Sequence, residues 1–149
     1  MFKHILFPTD GSAAANAALP KAAMLARSLG AKLTALNVTS GYHPAFESEG
    51  FVMPEMKSLR ERFEKEETAH SKKLLAEVQA LAAQMGVNCE GVTVTGGSAY
   101  RAIVEEAGRL NCDAIVMASH GRRGLEGLLL GSVTQQVLTH TKLPVLVCR

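Results

Sequence analysis

The sequence of 149 residues contains no tryptophan, only 5% aromatic residues and three cysteines, Cys89, Cys112 and Cys148. An odd cysteine count without a C-x-x-C pair argues against a disulfide framework and against a zinc cluster. Reduced thiols in a cytoplasmic protein are the simplest explanation of these cysteines. No apolar run is long enough to span a bilayer, and the first residues lack the apolar core of a signal peptide. We therefore expect a cytoplasmic location and no membrane partner.

The sequence also has little excess of positive over negative charge, because charged residues make up 20% of the chain and the net charge is only +2. So small an excess does not indicate a nucleic-acid partner. The length fits one domain, and a chain of this size buries roughly 70% of the surface that it exposes when unfolded. We expect a single domain over residues 1–149, with a core of Ala, Val, Ile, Leu and Met side chains.

Short apolar runs alternate with helix-like segments along the whole chain. This alternation predicts a doubly wound α/β domain with a parallel sheet and helices on both faces. Ser12 is a plausible N-cap of the first helix and Gly30 a plausible stop, and Leu59, His70, Leu74 and Val78 predict an apolar stripe on the second helix. The predicted strands are 3–8, 32–38, 89–95, 114–118 and 144–148, and the predicted helices are 13–29, 55–85, 98–109 and 132–140, with an irregular segment at 39–54 that could cover a site.

Ligands of open α/β sheets bind beyond the carboxyl ends of the strands, where the strand order reverses. The first polar segment at such an end is Pro8-Thr9-Asp10-Gly11, directly after the first strand. The Asp10 carboxylate could accept a hydrogen bond from a ribose hydroxyl or an adenine amine, or it could form a turn or helix cap. The sequence leaves these two roles open.

The second such segment extends from Ala118 to Thr134, and its end combines Gly131 with the start of a helix. Backbone N–H groups at a helix N-terminus favour an anion, and a glycine lets a phosphate approach the backbone. Ser132 and Thr134 could add hydroxyl donors, but Ser132-Val133-Thr134-Gln135 also fits a capping box that would satisfy those N–H groups internally. Two further residues have open roles: His120 could bind a ligand or fix the loop backbone, and Arg122 could meet a polyphosphate or be solvated.

Common enzyme motifs are absent from the sequence, including the P-loop, G-x-G-x-x-G and H-E-x-x-H patterns. The stretch from Met117 to Gly121 resembles a nucleophile elbow around Ser119, but methionine occupies the first glycine position. About ten residues also separate this stretch from the next helix, whereas an elbow leads directly into one. A serine hydrolase is therefore a minor alternative.

Three segments resemble the universal stress protein family. Pro8-Thr9-Asp10-Gly11-Ser12, followed by an alanine-rich helix, is similar to the opening of these proteins. Residues 117–134, MASHGRRGLEGLLLGSVT, resemble the motif of the ATP-binding members, Gly-x2-Gly-x9-Gly-Ser/Thr. Gly121, Gly131 and Ser132 match this motif, whereas Ala118 replaces its first glycine. Residues 143–148 are similar to the closing strand of the family.

The resemblance implies the strand order 3-2-1-4-5 and a regulatory or stress-protective protein that binds ATP with Mg²⁺ or Mn²⁺ through the phosphate oxygens. It also implies a homodimer through the last strand, which would be an apolar sheet edge; it names no regulatory partner. The alternatives are a nucleotide-free dimeric interaction module of the same fold, or a slow ATPase. The resemblance places Pro8, Thr9, Asp10 and Val38 at adenine and ribose, Met117, Ala118 and Gly121 at ribose and phosphates, and Gly131, Ser132, Val133 and Thr134 at the phosphates. Two further candidate binding residues, His120 and Arg122, come from the side chains of the loop after the fourth strand.

Overall fold

Strands and helices alternate in the computed structural model, which describes residues 1–41, 54–121 and 130–149. The element types agree with those predicted, and their ends agree to within about a residue. Residues 42–53 of the predicted irregular segment, and Arg122, lie outside the described residues. The elements are β1 His4–Pro8, α1 Ala13–Leu29, β2 Lys32–Thr39, α2 Pro54–Gln84, β3 Cys89–Thr95, α3 Ala99–Arg109, β4 Ala114–Ala118, α4 Ser132–His140 and β5 Val145–Cys148.

The five strands form one parallel sheet in the order β3-β2-β1-β4-β5, as predicted. β1 is central, and it pairs with β2 over its whole length and with β4 through Ile5 and Leu6. The chain moves outward from β1 to β3 on one side and then crosses to β4 on the other. The strand order therefore reverses between β1 and β4, which is where such sheets bind ligands.

Each face of the sheet is covered by a pair of helices, because successive side chains of a buried strand point in opposite directions. Ile5 and Phe7 of β1 pack with α1 and α2, whereas Leu6 packs with α3 and α4; all three are fully buried. The α1 side of the core is rich in alanine, which lets that helix lie close to the sheet. Its buried alanines are Ala15, Ala18, Ala22, Ala23 and Ala26.

The ends of α1 follow local rules that the sequence already shows. The Ser12 hydroxyl accepts a hydrogen bond from the Ala15 backbone N–H at 3.2 Å and so caps the helix. Gly30 ends it with φ of +62°, a left-handed conformation that glycine adopts without steric cost. Both predictions are confirmed, and the helix continues through Pro20.

The first half of α2 does not pack on the sheet, so the predicted apolar stripe is wrong there. Leu59 is 51% exposed and His70 is exposed, whereas Leu74 and Val78 are buried as predicted. The helix runs antiparallel to β3, and the Ser71 hydroxyl meets the Thr93 hydroxyl at 2.7 Å near the carboxyl end of that strand. Residues that precede Ser71 therefore extend past the end of the sheet, where no core is available to them.

The three cysteines are buried, free thiols. Burial raises the pKa of each thiol, and it raises the pKa of Cys112 to about 11. These thiols therefore stay protonated at neutral pH, and a protonated thiol is a poor nucleophile and metal ligand. Their role in the fold is packing. In the described part of the chain, no helix has the length and apolar character needed to cross a membrane.

The amino end of β1 is fixed by polar contacts. Asp113 accepts hydrogen bonds from the backbone N–H groups of Lys3 at 2.7 Å and His4 at 3.1 Å. The His4 ring lies 3.1 Å from the Leu110 carbonyl through Nδ1 and 2.8 Å from the Thr34 hydroxyl through Nε2. A carbonyl can only accept, so Nδ1–H donates to the Leu110 carbonyl. In the neutral ring Nε2 then accepts from the Thr34 hydroxyl, and protonation of Nε2 would remove this acceptor.

We predict that His4 makes the protein less stable in mild acid. Burial, followed by the nearby positive charge of Lys32, lowers the pKa of His4 below its ordinary value. The unfolded chain then binds more protons than the folded one, so the free energy of unfolding falls as pH drops from about 6.5 toward the folded pKa. Urea unfolding at pH 7.5 and 5.5 should show this loss in the wild type and a smaller loss in His4→Asn.

The matched control is His70→Asn, because His70 is exposed on α2. It should retain the pH dependence of the wild type. An equal loss of stability in the wild type and in His4→Asn between the two pH values would contradict a role for this ring.

Candidate functional site

A cleft of about 590 Å³ opens at the carboxyl ends of β1, β2 and β4. Its volume lies within the range of roughly 300–1,000 Å³ that is usual for small-molecule sites. Twelve of the thirteen predicted site residues line it, and the thirteenth, Arg122, lies outside the described residues. The lining residues are Pro8, Thr9, Asp10, Ala15, Leu36, Val38, Thr39, Ser40, Gly97, Ala99, Ile103, Met117, Ala118, His120, Gly121, Gly131, Ser132, Val133 and Thr134.

One part of the cleft is apolar, with walls from strand ends and from α3. Two of its residues were predicted for the site, Val38 at adenine and ribose and Met117 at ribose and phosphates. The sequence reasoning missed Leu36, Ala99 and Ile103. Ile103 lies on the buried face of α3, which packs against β2 and α4. The hydrophobic pattern of α3 identifies that face, but only the tertiary structure shows that it reaches the cleft.

Asp10 forms a turn, which is one of the two roles that the sequence left open, and it also lines the cleft. Its Oδ1 accepts the Ser12 backbone N–H at 3.0 Å, and the Thr9 hydroxyl accepts the Gly11 N–H at 3.3 Å. The Thr9 backbone is tied to β2, because its N–H donates to the Leu36 carbonyl at 2.8 Å. The Asp10 carboxylate is thus held at the end of β1.

Gly121 lies against this carboxylate. A Cβ atom at position 121 would lie 2.6 Å from Asp10 Oδ2, which is closer than nonbonded atoms approach. Any side chain there would push the carboxylate away. Glycine at this position therefore lets the loop after β4 approach the loop after β1.

The start of α4 differs from the predicted capping box. Gly131 is the N-cap residue, its carbonyl accepts the Gln135 N–H at 3.0 Å, and no side chain caps the helix. Ser132 is therefore the first helical residue, one position too late for its hydroxyl to cap. The capping-box prediction is wrong because the Gly131 N–H is held by the Ser119 carbonyl at 2.7 Å, which places the turn one residue earlier.

Three backbone N–H groups at the start of α4, those of Ser132, Val133 and Thr134, have no acceptor among the described residues. The first turn of any helix leaves such groups unsatisfied, and they concentrate partial positive charge at its N-terminus. All three residues line the cleft. The arrangement can therefore hold an anion.

The Thr134 hydroxyl has a structural role instead of the predicted one. It is buried and lies 3.1 Å from the Ala118 carbonyl and 3.3 Å from the Ser119 carbonyl. A hydroxyl that donates its proton to these carbonyls cannot also donate to a ligand. The prediction of a hydroxyl donor is wrong for Thr134, although the residue itself lines the cleft.

Contacts within the protein also explain why residue 131 is a glycine. A Cβ atom there would lie 3.2 Å from the Ser119 carbonyl oxygen and 3.3 Å from the His120 Cα. The close approach made possible by Gly131 is thus between two backbone segments. A bulky substitution at 131 would disturb the loop as well as any ligand, so it is a poor test of binding.

Ser119 does not have the geometry of a hydrolase nucleophile. Its side chain is buried, it does not line the cleft, and its hydroxyl lies 2.9 Å from His120 Nδ1. A nucleophile elbow exposes its serine hydroxyl to the substrate. His120, by contrast, lines the cleft beside the N-cap of α4.

Ala118, which stands at the first glycine of the family motif, directs its side chain into the core. It belongs to the same buried cluster as Ala114 and Val116 on the α1 face, whereas Met117 belongs to the cluster on the opposite face. The Ala118 methyl group is thus part of the packing beneath the cleft.

The described walls of the cleft contain no lysine or arginine, and Asp10 is their single carboxylate. Among the residues that the structure describes, no three His, Cys, Asp or Glu side chains group together as a metal site would require. An anion bound here would therefore meet backbone dipoles and His120 on the described walls.

The comparison with known proteins gives a consistent result. The model of the Universal stress protein family matches residues 1–149. Universal stress protein MJ0531 of Methanocaldococcus jannaschii is 31% identical over 150 residues, which cover 100% of this chain and 83% of that protein. The solved structure of hypothetical protein MJ0577, from the same organism, has a TM-score of 0.81 and 28% identity and covers 99% of this chain and 95% of that one. A universal stress protein crystallised in complex with cAMP has a TM-score of 0.70 and 25% identity, with 99% and 97% coverage.

We predict that Ala118→Gly destabilises the fold without strengthening binding in the cleft. The change removes a buried methyl group and adds backbone freedom to a strand, which together cost about 1.5 kcal/mol. Urea unfolding measures the loss of stability, and titration with ATP measures binding.

Ala114→Gly is the matched control, because Ala114 lies on the same face at the other end of β4, away from the cleft. The two variants should lose similar stability and bind alike. A several-fold gain in ATP affinity in Ala118→Gly alone would show that the methyl group crowds the ligand.

Proposed function

The chain belongs to the universal stress protein family, and we propose that it binds ATP, or a closely related adenine nucleotide, in the cleft between β1 and β4. The observation that carries the proposal is the set of three backbone N–H groups at the start of α4 that have no acceptor in the described part of the chain. Their residues line a cleft that also has apolar walls. Phosphate groups bind at such helix ends because the N–H groups point at them and the helix dipole favours negative charge.

The cleft is divided in a way that suits a nucleotide. Its apolar part, with Val38 and Met117 on neighbouring elements, offers a surface for a flat base. An ionised carboxylate accepts hydrogen bonds and donates none. The Asp10 carboxylate at the end of β1 therefore suits a ribose hydroxyl donor. The N-terminus of α4 then receives the phosphates. We therefore assign adenine, ribose and phosphate to successive parts of one cleft.

A divalent ion, Mg²⁺ or Mn²⁺, would be bound chiefly through phosphate oxygens and water, as Mg²⁺ usually is in nucleotide sites. The ion would neutralise phosphate charge that the described walls, with one carboxylate and no lysine or arginine, do not neutralise. ATP should therefore bind more weakly when EDTA removes the metal.

The comparisons support the class of ligand, since one structural neighbour at 25% identity was crystallised with cAMP, an adenine nucleotide. We further propose a regulatory or stress-protective role in the cytoplasm. A fast enzyme is not favoured, because Ser119 is buried and the described cleft offers no activated nucleophile. Slow hydrolysis of ATP is the alternative activity.

The direct test is titration calorimetry with Mg-ATP. We expect micromolar affinity for the wild type and at least a tenfold loss in Ala99→Phe, because Ala99 lines the cleft at the first position of α3 and a phenyl ring would occupy its apolar part. The matched control is Ala83→Phe on an exposed face of α2, which should bind like the wild type.

The absence of binding heat with millimolar Mg-ATP, in a wild-type protein that unfolds cooperatively, would contradict nucleotide binding. It would leave the nucleotide-free interaction module as the function of this fold.

We also propose that the protein forms a homodimer through β5. This strand is at the edge of the sheet, and its Leu146 side chain is 48% exposed. The carbonyls of Pro144 and Cys148 bond to β4, so the alternation of a parallel strand turns the N–H and C=O groups of Val145 and Val147 outward. An apolar edge with unpaired backbone groups favours pairing with a second strand.

Sedimentation velocity at micromolar concentration tests the dimer. The wild type should sediment as a dimer and Leu146→Arg as a monomer, because two like charges would face each other across the edge. Leu81→Arg, a substitution at a leucine 38% exposed on α2, should remain dimeric. A monomeric wild type, or a dimeric Leu146→Arg protein, would contradict the proposed interface.

A further inference from the structure

We propose that the first half of α2 pairs with the same segment of a second copy of this chain, in antiparallel orientation. The segment comprises residues 57–71, the part of the helix that extends past the sheet and ends at the contact with β3. The side that faces the second copy is a stripe of four side chains, Leu59, Arg62, Glu66 and Ala69. The inference concerns a surface outside the cleft and does not depend on nucleotide binding.

The stripe is open to solvent. Leu59 is 51% exposed, and the other three side chains are exposed as well. Intervals of three, four and three residues place all four along one face of the helix. The face that packs on the sheet carries Ser71, Leu74 and Val78, which are buried. At about 100° per residue, that face lies on the opposite side of the helix, so the stripe points away from the sheet.

The spacing of the stripe suits a pair of helices. Intervals of three and four residues are those of positions a and d of a coiled coil, whose side chains pack against the partner helix. In an antiparallel pair, position a of one helix lies opposite position d of the other. A twofold axis beside Glu64 then places Leu59 opposite Ala69 of the second copy. The same axis places Arg62 opposite Glu66 of the second copy, and each pair occurs twice.

The charges of the segment favour this orientation. Residues 57–62 carry three positive side chains and one negative, whereas residues 66–71 carry two negative side chains and no lysine or arginine. Antiparallel pairing brings the positive end of each helix to the negative end of the other, whereas parallel pairing would place Arg62 against Arg62. No ion pair among the described residues includes Arg62 or Glu66, so the new pairs would replace none.

The described part of the domain leaves room for such a pair. The Ser71 hydroxyl meets Thr93 near the carboxyl end of β3, so the sheet lies beside the residues that follow Ser71. The paired segments are about 22 Å long at 1.5 Å per residue. In the antiparallel register, the two sheets begin at opposite ends of that length. Only the part of α2 that projects past each sheet is in the overlap.

This contact differs from the homodimer proposed through β5. α2 packs on β3 and β2, whereas β5 is at the other edge of the sheet. One chain can therefore make both contacts, and two different twofold contacts would link dimers into larger assemblies. A small interface with exposed ion pairs is weak. We expect it to form at high micromolar concentration and to weaken as salt rises.

Cysteine cross-linking tests the register. In Leu59→Cys/Ala69→Cys, each new thiol would lie beside the other kind in the second copy, so mild oxidation should give a covalent dimer on a non-reducing gel. The two thiols of one chain are about 15 Å apart along the helix, too far for a disulfide. The native cysteines are buried and should not react.

Leu59→Cys alone and Ala69→Cys alone are the matched controls. Like thiols would lie about 15 Å apart across the twofold axis, so each single variant should give little covalent dimer. A double variant that cross-links no more than the single variants would overturn the proposal. Strong cross-linking of Leu59→Cys alone would also overturn it, because that result requires a parallel or random contact.

Charge exchange tests the ion pairs in the Leu146→Arg protein, from which the proposed β5 contact is removed. In sedimentation at high micromolar concentration, Arg62→Glu and Glu66→Arg should each lower the association constant about tenfold, because like charges then face each other twice. The double variant Arg62→Glu/Glu66→Arg should recover association, since opposite charges again face each other. Glu77→Arg, at an exposed residue of α2 beyond the paired segment, is the matched control and should associate like the parent.

Failure of the exchange to restore association would overturn the proposed pairing, as would a parent protein that stays monomeric at every concentration. Recovery in the double variant, with no effect of Glu77→Arg, would support it. If the wild type dimerises through β5 and the substitutions on α2 change nothing, this inference fails while the β5 interface stands. Titration with Mg-ATP should be unaffected by all of these variants, because none of the substituted residues lines the cleft.

Discussion

The carbonyl group of Ser119 receives two donors from the start of α4, the Gly131 N–H at 2.7 Å and the Thr134 hydroxyl at 3.3 Å. These bonds attach the helix to the end of β4, although residues 122–129 separate the two segments in the chain. They occupy the Gly131 N–H and the Thr134 hydroxyl, whereas the backbone N–H groups of residues 132–134 have no described acceptor. The proposed binding of an anion in the cleft depends on this division between donors that build the helix start and donors that remain.

Small residues make this arrangement sterically possible. Gly131 lets α4 meet the loop after β4, and Gly121 lets that loop meet the Asp10 carboxylate. Ala118 contributes its methyl group to the core on the α1 face, where the helix itself presents alanines. The glycines at 121 and 131 are therefore explained by contacts within the protein, before any ligand is considered. The glycines of a motif that resembles a nucleotide-binding signature are thus also required by close contacts within the protein.

The sequence predicted most of the fold because its signals are local or belong to regular patterns. Ser12 and Gly30 act within α1, and strands buried on both faces appear as apolar runs. The strand order came from family resemblance, since no local pattern fixes which strand pairs with β1. Predictions failed where distant contacts decide the outcome. The N-cap of α4 is Gly131 and not Ser132, because the Gly131 N–H bonds to the Ser119 carbonyl. Leu59 and His70 are exposed because that part of α2 extends past the end of the sheet. Ile103 was missed because its position in the cleft depends on how α3 packs.

The proposed binding would depend on dipoles at short range and not on full positive charges of the described walls. Lysine and arginine side chains bind phosphate as full charges, so their contribution weakens as salt rises. The described walls of this cleft instead offer backbone N–H groups, the dipole of α4 and the ring of His120, with the Asp10 carboxylate nearby. Donors without full charge act only at short range and in the correct direction, so their strength depends on geometry. If the cleft binds a nucleotide as proposed, any event that shifts α4 relative to β4 would therefore change the affinity. A site built in this way suits a protein whose bound state is to be regulated.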